Sequence, residues 1–330
     1  DYAVSTQSRE NPPETWEGKI LVPFTIETQL SGVGRQLSTE EAVWYQRSFQ
    51  VPRKWDGQSL ILHFEASDFE TTVWLNGEML GNHRGGYDPF AFEISQFLGD
   101  SKDQVLTVKV HDPQGEVFKS LGKQSGSVEA YERCSGIWQT VWIEPVAEKA
   151  SISSLKMVPD LDKVSLQTLI RGESNGLQVK YEVFDGENVV TTATSTLDER
   201  VDLTIPSPKL WSPDSPFLYD LKVSLMDGEE LMDEVMSYFG LRTISVSAPL
   251  AVAFGAGVDS PEGNEILLNG EPIFQMGPLD QNYWPGGGLT PPSDEAVIWE
   301  VNYLKEIGCN MNRLHIKYNP NRFYYQDRKS

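Results

Sequence analysis

The chain is 330 residues long, with 27 basic and 48 acidic residues and a formal net charge of −21. This length predicts two or three domains, and the acidic character disfavours nucleic acid and anionic membrane surfaces, because both require a basic face on their partner. A mean hydropathy of −0.37 and the lack of an apolar run of roughly 18 residues argue against a membrane-spanning helix. Cys134 and Cys309 are predicted to be free thiols.

Residues 1–147 have the alternating apolar pattern of half-buried strands. Leu60, Leu62 and Phe64 alternate with Ile61, His63 and Glu65. The pair 76–77 is Asn-Gly, the strongest short-range signal for a hairpin. Short strands with turn signals and no convincing helix predict a β-sandwich. Tryptophans in the alternating strands are predicted to pack in cores: Trp44, Trp74, Trp138, Trp142 and Trp211.

Residues 148–247 repeat this pattern on a smaller scale. Turn dipeptides Asp-Gly occur at 185–186 and 227–228. Strands are predicted over 152–157, 164–170, 179–184, 189–196, 201–205, 218–225 and 234–239. About seven short strands in roughly 100 residues predict an immunoglobulin-like sandwich, although the Cys-Trp-Cys pattern of antibody domains is missing.

Residues 248–330 begin with a Gly-, Ala- and Pro-rich linker and then change in character. Short strands are predicted over 266–268 and 272–276, a helix over 293–308 with Ser293 as N-cap, and a strand over 311–316. Strand, helix and strand form a βαβ unit. The 62 residues from Asn269 to Ser330, however, are far fewer than the ~250 of a (β/α)₈ barrel. In an incomplete barrel the strand edges would be unpaired, so the chain could associate with a second copy of itself through them.

Metal and cofactor chemistry is not indicated. The four histidines show no metal-ligand spacing, and the glycines at 286–288 precede prolines rather than opening a helix. No cofactor is therefore predicted. The polar start at Asp1 is compatible with a mature N-terminus after signal-peptide removal, which would favour a periplasmic or secreted protein.

Ten short motifs occur in the order known from one enzyme family. They are WYQRSF (44–49), VWLNG (73–77), HRGGY (83–87), SGIWQTVW (135–142), PKLWSP (208–213), PFLY (216–219), FGLR (239–242), LNGEP (268–272), GPLDQ (277–281) and NMNRLHIK (310–317). By these motifs the chain resembles glycoside hydrolase family 2, the β-galactosidase, β-glucuronidase and β-mannosidase group. The resemblance implies a jelly-roll sugar-binding domain (1–147), an immunoglobulin-like β-sandwich (148–247), and a linker with the first units of a (β/α)₈ catalytic barrel (248–330).

The resemblance also implies an activity, that of a retaining exo-β-glycosidase that hydrolyses terminal β-linked sugars. Such enzymes use two carboxylates as acid/base and nucleophile. In the family both glutamates lie on later barrel strands, and the one Asn-Glu pair of this chain, at 264–265, precedes the barrel. We therefore expect this chain alone to be inactive. Two alternatives remain open: a non-hydrolytic carbohydrate-binding module, and a purely structural or oligomerisation module.

Candidate substrate-binding residues come from the barrel segment. Arg313, His315 and Lys317 alternate along one predicted strand, and family members place an arginine there near the catalytic carboxylates. A solvated edge strand is the alternative. Asp280 and Gln281 follow the first predicted barrel strand, where polar side chains often bind substrate, or where an aspartate simply caps a turn.

Further candidates are aromatic and loop residues. Trp284 lies in a Pro- and Gly-rich loop after the first predicted barrel strand, where barrel active sites are built. Tyr131 and Arg133 precede Ser135 and are candidates to reach the substrate, with a surface loop as the alternative. The resemblance places a substrate-binding aspartate of galactosidases and glucuronidases at the position of Ala130, so specificity for galactose or glucuronate is not predicted.

Overall fold

The computed structural model describes residues 1–113, 133–197, 199–247, 265–281, 283–315 and 319–327. It divides into two compact units. The first comprises Asp1–Val146, Pro278–Tyr303 and Asn312–Asp327, and the second comprises Ala147–Gly277 and Leu304–Met311. The predicted linker at 248–262 lies outside the described residues. Within them, neither helix has the length and apolar character needed to cross a bilayer.

The first unit is built on antiparallel strands. In chain order these are β1 Tyr2–Thr6, β2 Glu41–Phe49, β3 Gln58–Phe64, β4 Ser67–Asp68, β5 Glu70–Leu75, β6 Glu78–Arg84, β7 Phe90–Glu93, β8 Gln104–His111, β9 Gly136–Ile137 and β10 Val141–Ala147. Short 3₁₀ turns lie at Gln29–Ser31, Arg53–Trp55 and Ser95–Phe97. One sheet has the order β1-β2-β8-β5-β6, a second has β10-β3-β7, and β4 pairs with β9.

The alternation read from the sequence builds the core of this unit. Leu60, Leu62 and Phe64 from the smaller sheet pack with Val73 and Val108 from the larger one, and all are buried. The predicted hairpin at 76–77 is confirmed: it joins β5 to β6, and both turn residues have positive φ angles (53° and 87°). Because Gly and Asn tolerate this conformation, the local sequence fixes the turn and the register of the two strands.

Residues 150–239 of the second unit contain seven strands that form two antiparallel sheets. They are β11 Ala150–Pro159, β12 Lys163–Gly172, β13 Gln178–Asp185, β14 Asn188–Thr196, β15 Val201–Thr204, β16 Tyr219–Asp227 and β17 Glu230–Phe239. The sheet orders are β11-β12-β15 and β14-β13-β16-β17. Val164 and Leu166 from the first sheet share one buried core with Tyr181 and Leu221 from the second. The predicted immunoglobulin-like sandwich is confirmed.

The remaining elements are short. They are β18 Ile244–Val246, β19 Ile266–Leu268, β20 Glu271–Pro272, β21 Leu279–Asp280, α1 Asp294–Glu306, β22 Arg313–Leu314 and α2 Asn321–Asp327. Strands β18, β19 and β20 form an antiparallel sheet, whereas β21 pairs with β22 in parallel. The predicted helix begins where expected, with the Ser293 Oγ accepting the Ala296 N–H at 3.2 Å. The mostly β architecture is thus confirmed; the short helices and strands of this segment do not by themselves establish a barrel.

Two local expectations are wrong. Residues 273–276 form no strand: the Ile273 N–H still donates to the Ile266 carbonyl at 3.1 Å, but further on the Asn310 amide donates to the Phe274 carbonyl and accepts the Met276 N–H, both at 2.8 Å. Trp142 is not a core residue but is 40% exposed. It lies on β10 at the edge of its sheet and stacks on His63 with ring centroids 4.2 Å apart.

Candidate functional site

Strands β21 and β22 bring two of the predicted site residues, Asp280 and His315, together in the first unit. Leu279 pairs with Arg313, and the His315 N–H donates to the Asp280 backbone oxygen at 2.9 Å. The Asp280 carboxylate accepts a hydrogen bond from the Asn312 amide at 3.1 Å. Asp280 thus ends the strand itself rather than following it. The parallel pairing aligns Asp280 and His315 at one end of both strands.

Glu300 of α1 is a carboxyl group that the sequence did not single out. Burial, with a further contribution from the charge of Asp280, raises the pKa of Glu300 to about 7. The only sequence signal would have been its place on a helix that also carries the apolar stripe of Val297 and Val301. A pair of carboxyls of which one stays protonated near neutral pH can both donate and accept hydrogen bonds.

Trp284 lies in the wall of a cavity of about 760 Å³. Residues 27–34 and 283–288 form its walls, and these two segments are joined by the Leu30 N–H donating to the Gly286 carbonyl at 2.9 Å. The Trp284 ring also packs against the buried cluster of Val297, Val301 and Phe323. The tryptophan is therefore held by α1 and α2 while it lines open space.

Glu27 also lines this cavity, and the sequence reasoning missed it. Its side chain is buried, with one oxygen, Oε2, accepting the Ser135 N–H at 3.1 Å. Burial is the main cause that raises the pKa of Glu27 to about 7, and the nearby Asp112 charge adds to it. Because Glu27 and Ser135 are 108 residues apart, no local pattern could have revealed this contact.

Arg133 lies beside the same buried polar group. Its guanidinium donates to the Leu37 carbonyl at 2.6 Å and lies 3.6 Å from the Asp112 carboxylate. Asp112 in turn accepts the Ser135 hydroxyl at 2.9 Å. Arg133 is thus connected through Asp112 and Ser135 to Glu27 at the cavity.

The other predicted residues are placed separately. Gln281 is exposed next to β21, and Arg313 is exposed on β22. Tyr131 and Lys317 lie outside the described residues. Among the residues that the structure describes, no group of three or more His, Cys, Asp or Glu side chains is placed to hold a metal ion.

Comparison with known proteins identifies both sandwiches. Residues 22–143 match the sugar binding domain of glycosyl hydrolases family 2, and residues 150–242 match a second model of glycosyl hydrolases family 2. A β-galactosidase of Thermoanaerobacter pseudethanolicus is 27% identical over 285 residues, covering 82% of this chain and 36% of that protein. A β-glucuronidase of Paenibacillus borealis is 24% identical over 328 residues, covering 91% and 51% respectively.

The solved structure of Bifidobacterium dentium β-glucuronidase in complex with coumarin-3-O-glucuronide has the same fold. The TM-score is 0.76 at 21% identity, and the match covers 99% of this chain and 58% of that one. The chain spans about a third to a half of the length of the two curated relatives above. The two family matches and the fold lead to one conclusion: the chain belongs to glycoside hydrolase family 2 and carries its sugar-binding and immunoglobulin-like domains.

Proposed function

We propose that this chain is the carbohydrate-binding and scaffold part of a retaining exo-β-glycosidase. In this proposal residues 1–147 are the sugar-binding domain, 148–247 are the immunoglobulin-like domain, and 248–330 are a linker and the first units of a (β/α)₈ barrel. The observation that carries it is the parallel pairing of β21 with β22 across α1. A parallel pair linked by a helix is the repeating unit of such barrels.

The geometry at the ends of these strands fits substrate binding. In a (β/α)₈ barrel the active site is built at the carboxyl ends of the strands, where Asp280 and His315 lie together here. The proposed contacts to a terminal sugar are Asp280, Gln281, Arg313, His315, Trp284, Arg133 and Tyr131. Carboxylates, amides and guanidinium groups bond the vicinal hydroxyls of a sugar ring, and an indole face packs on its C–H groups.

Hydrolysis itself needs a nucleophile and an acid/base roughly 5–5.5 Å apart. We assign neither role to a residue of this chain, and the names of the relatives, β-galactosidase and β-glucuronidase, describe those proteins. The proposal is therefore that the chain binds a β-glycoside without cleaving it.

The test combines turnover and binding. The chain is incubated with a panel of nitrophenyl β-glycosides, and binding of the corresponding methyl glycosides is measured by calorimetry for the wild type and for Arg313→Ala. We expect turnover at the uncatalysed rate, and binding that Arg313→Ala weakens. Turnover that is abolished by Asp280→Ala or Glu300→Gln would overturn the proposal, since it would place the catalytic carboxylates on β21 and α1.

A non-hydrolytic carbohydrate-binding module is the second candidate. The observation that favours it is that the cavity beside Trp284 is formed within the first unit alone. A reading frame that ends at residue 330 together with sugar binding would support this candidate over the first.

A further inference from the structure

The cavity between residues 27–34 and 283–288 has the size and construction of a small-ligand site. Its volume of about 760 Å³ falls within the roughly 300–1,000 Å³ of ligand pockets. Hydrogen bonds fix the wall at 283–288 and the chain beside it. The Trp284 N–H donates to the Gly288 carbonyl at 2.8 Å, and the buried Thr290 hydroxyl contacts the carbonyls of Pro23 and Trp138 at 3.0 and 2.7 Å. The site is therefore preformed.

Glu27 supplies an unsatisfied polar group to this site. The side chain is only 6% exposed, and its Oε1 has no hydrogen-bond partner among the described residues. A buried polar atom without a partner destabilises the folded state. A hydroxyl of a ligand in the cavity would remove this cost, because a carboxyl oxygen accepts a hydroxyl proton and a protonated carboxyl also donates.

Aromatic and amide side chains share the cavity with Glu27. Tyr283 and Trp284 are half-buried and leave part of their rings at the cavity surface, while Gln29 is exposed at the opposite segment of chain. An indole or phenol ring packs well on the C–H face of a pyranose. A carboxyl, an amide and two aromatic rings around one cavity are the groups that recognise a sugar ring.

Charge narrows the ligand class. Among the described residues that line the cavity, none is Lys, Arg or His, and Glu27 is acidic. Asp112 lies close enough to disfavour negative charge at Glu27, and its own countercharge is Arg133 at 3.6 Å. An anionic sugar would meet the Glu27 carboxyl and no Lys, Arg or His side chain among the described residues of the cavity wall.

We propose that this cavity binds a neutral pyranose ring, with Glu27 bonding its hydroxyls and Trp284 stacking on its face. The proposal rests on the carbohydrate binding proposed above, but not on hydrolysis or on the residues of β21 and β22. It assigns to the first unit a sugar site that shares Trp284 with the contacts proposed above but does not include Arg313.

The experiment measures binding of methyl β-D-galactopyranoside, methyl β-D-glucopyranoside and methyl β-D-glucuronide by saturation-transfer NMR and calorimetry. Trp284→Ala and Glu27→Met are each expected to weaken binding of a neutral pyranoside about tenfold, through the lost stack and the lost hydrogen bond. Trp299→Ala is the matched control, because Trp299 is exposed on α1 and stacks only on Tyr303 among the ring contacts described.

Glu27→Met and Trp284→Ala remove contacts inside the protein. The experiment therefore includes a variant that blocks the cavity without removing any buried contact. Gln29→Trp places a large side chain at the cavity from an exposed position, and Gln36→Trp adds the same side chain at another exposed position outside the lining. We expect Gln29→Trp to abolish binding while Gln36→Trp leaves it unchanged, with circular dichroism confirming the fold of both.

The outcomes separate this proposal from the proposed function. Sugar binding that Arg313→Ala weakens and Gln29→Trp leaves intact would support the proposed function and overturn the cavity site. Binding of the glucuronide alone, or no binding of either neutral pyranoside at tens of millimolar, would also overturn the cavity site.

Discussion

The two sandwiches bury different kinds of polar group. Among the described residues, the first unit buries carboxyl groups and an imidazole, at Glu27, Asp68, Asp112 and His111. The immunoglobulin-like sandwich buries only hydroxyls, at Ser151, Ser165, Thr168, Ser195 and Ser224. A hydroxyl is neutral and costs less to bury, whereas a buried carboxyl costs several kcal/mol unless it is paired or protonated. The buried carboxyl and imidazole side chains among the described residues are thus in the first unit.

The most buried ion pair among the described residues lies in the first unit. Arg133 and Asp112 in the first unit have side chains that are 15% and 1% exposed, whereas Lys163 and Asp202 in the second are 39% and 48% exposed. Removing one partner of a buried pair leaves an uncompensated charge, but removing one partner of an exposed pair leaves a solvated one. The difference can be measured directly.

The largest effect is expected for Arg133→Ala. It removes the Arg133 charge from beside the buried Asp112, so we expect a loss of about 3–5 kcal/mol in the free energy of unfolding. Lys163→Ala, the matched change in the second unit, is expected to cost less than about 1 kcal/mol. Urea denaturation followed by tryptophan fluorescence measures both. Similar small losses for the two variants would show that burial of the Arg133–Asp112 pair does not increase the cost of removing one partner.

The next effect depends on pH. The pKa of Glu27 in the folded state is about 7, against 4.5 for an unperturbed glutamate, so the folded state holds this proton more tightly than the unfolded state. The contribution of Glu27 to the free energy of unfolding is therefore largest below about pH 4. This contribution falls by about 3 kcal/mol in total as the pH rises to about 7. Glu27→Gln removes this dependence, and we expect it to gain stability relative to the wild type between pH 4 and 8.

Glu41 provides a control with the opposite sign. The Ser38 N–H, which donates to the Glu41 carboxylate at 2.9 Å, lowers the pKa of Glu41. Glu41→Gln should therefore lose stability relative to the wild type as the pH rises through the acidic range, since the favourable carboxylate is absent. Unfolding curves at a series of pH values distinguish the two slopes. If the difference in stability between Glu27→Gln and the wild type did not change with pH, Glu27 would not be buried as a neutral group.

Local features of the fold could be predicted from the sequence, and the candidate site could be predicted only in part. The hairpin at 76–77 and the N-cap Ser293 depend on neighbouring residues, so their sequence signals are sufficient. The burial of Glu27 depends on Ser135, 108 residues away, and that of Glu300 on the packing of α1. Trp142 looked like a core residue because alternation marks a strand but does not say that the strand is at a sheet edge.

The smallest effect concerns a hydroxyl pair of the immunoglobulin-like core. The hydroxyls of Thr168 and Tyr181 lie 2.9 Å apart in the interior. Tyr181→Phe leaves the buried Thr168 hydroxyl without this partner, so we expect a loss of about 1–2 kcal/mol. The loss should be the same at about pH 5 and pH 8, because the bond involves no charged group. Tyr303→Phe, at a tyrosine that is 46% exposed, is the control and should change stability little. A pH-dependent loss for Tyr181→Phe would contradict the division between a neutral core in the second unit and a titrating one in the first.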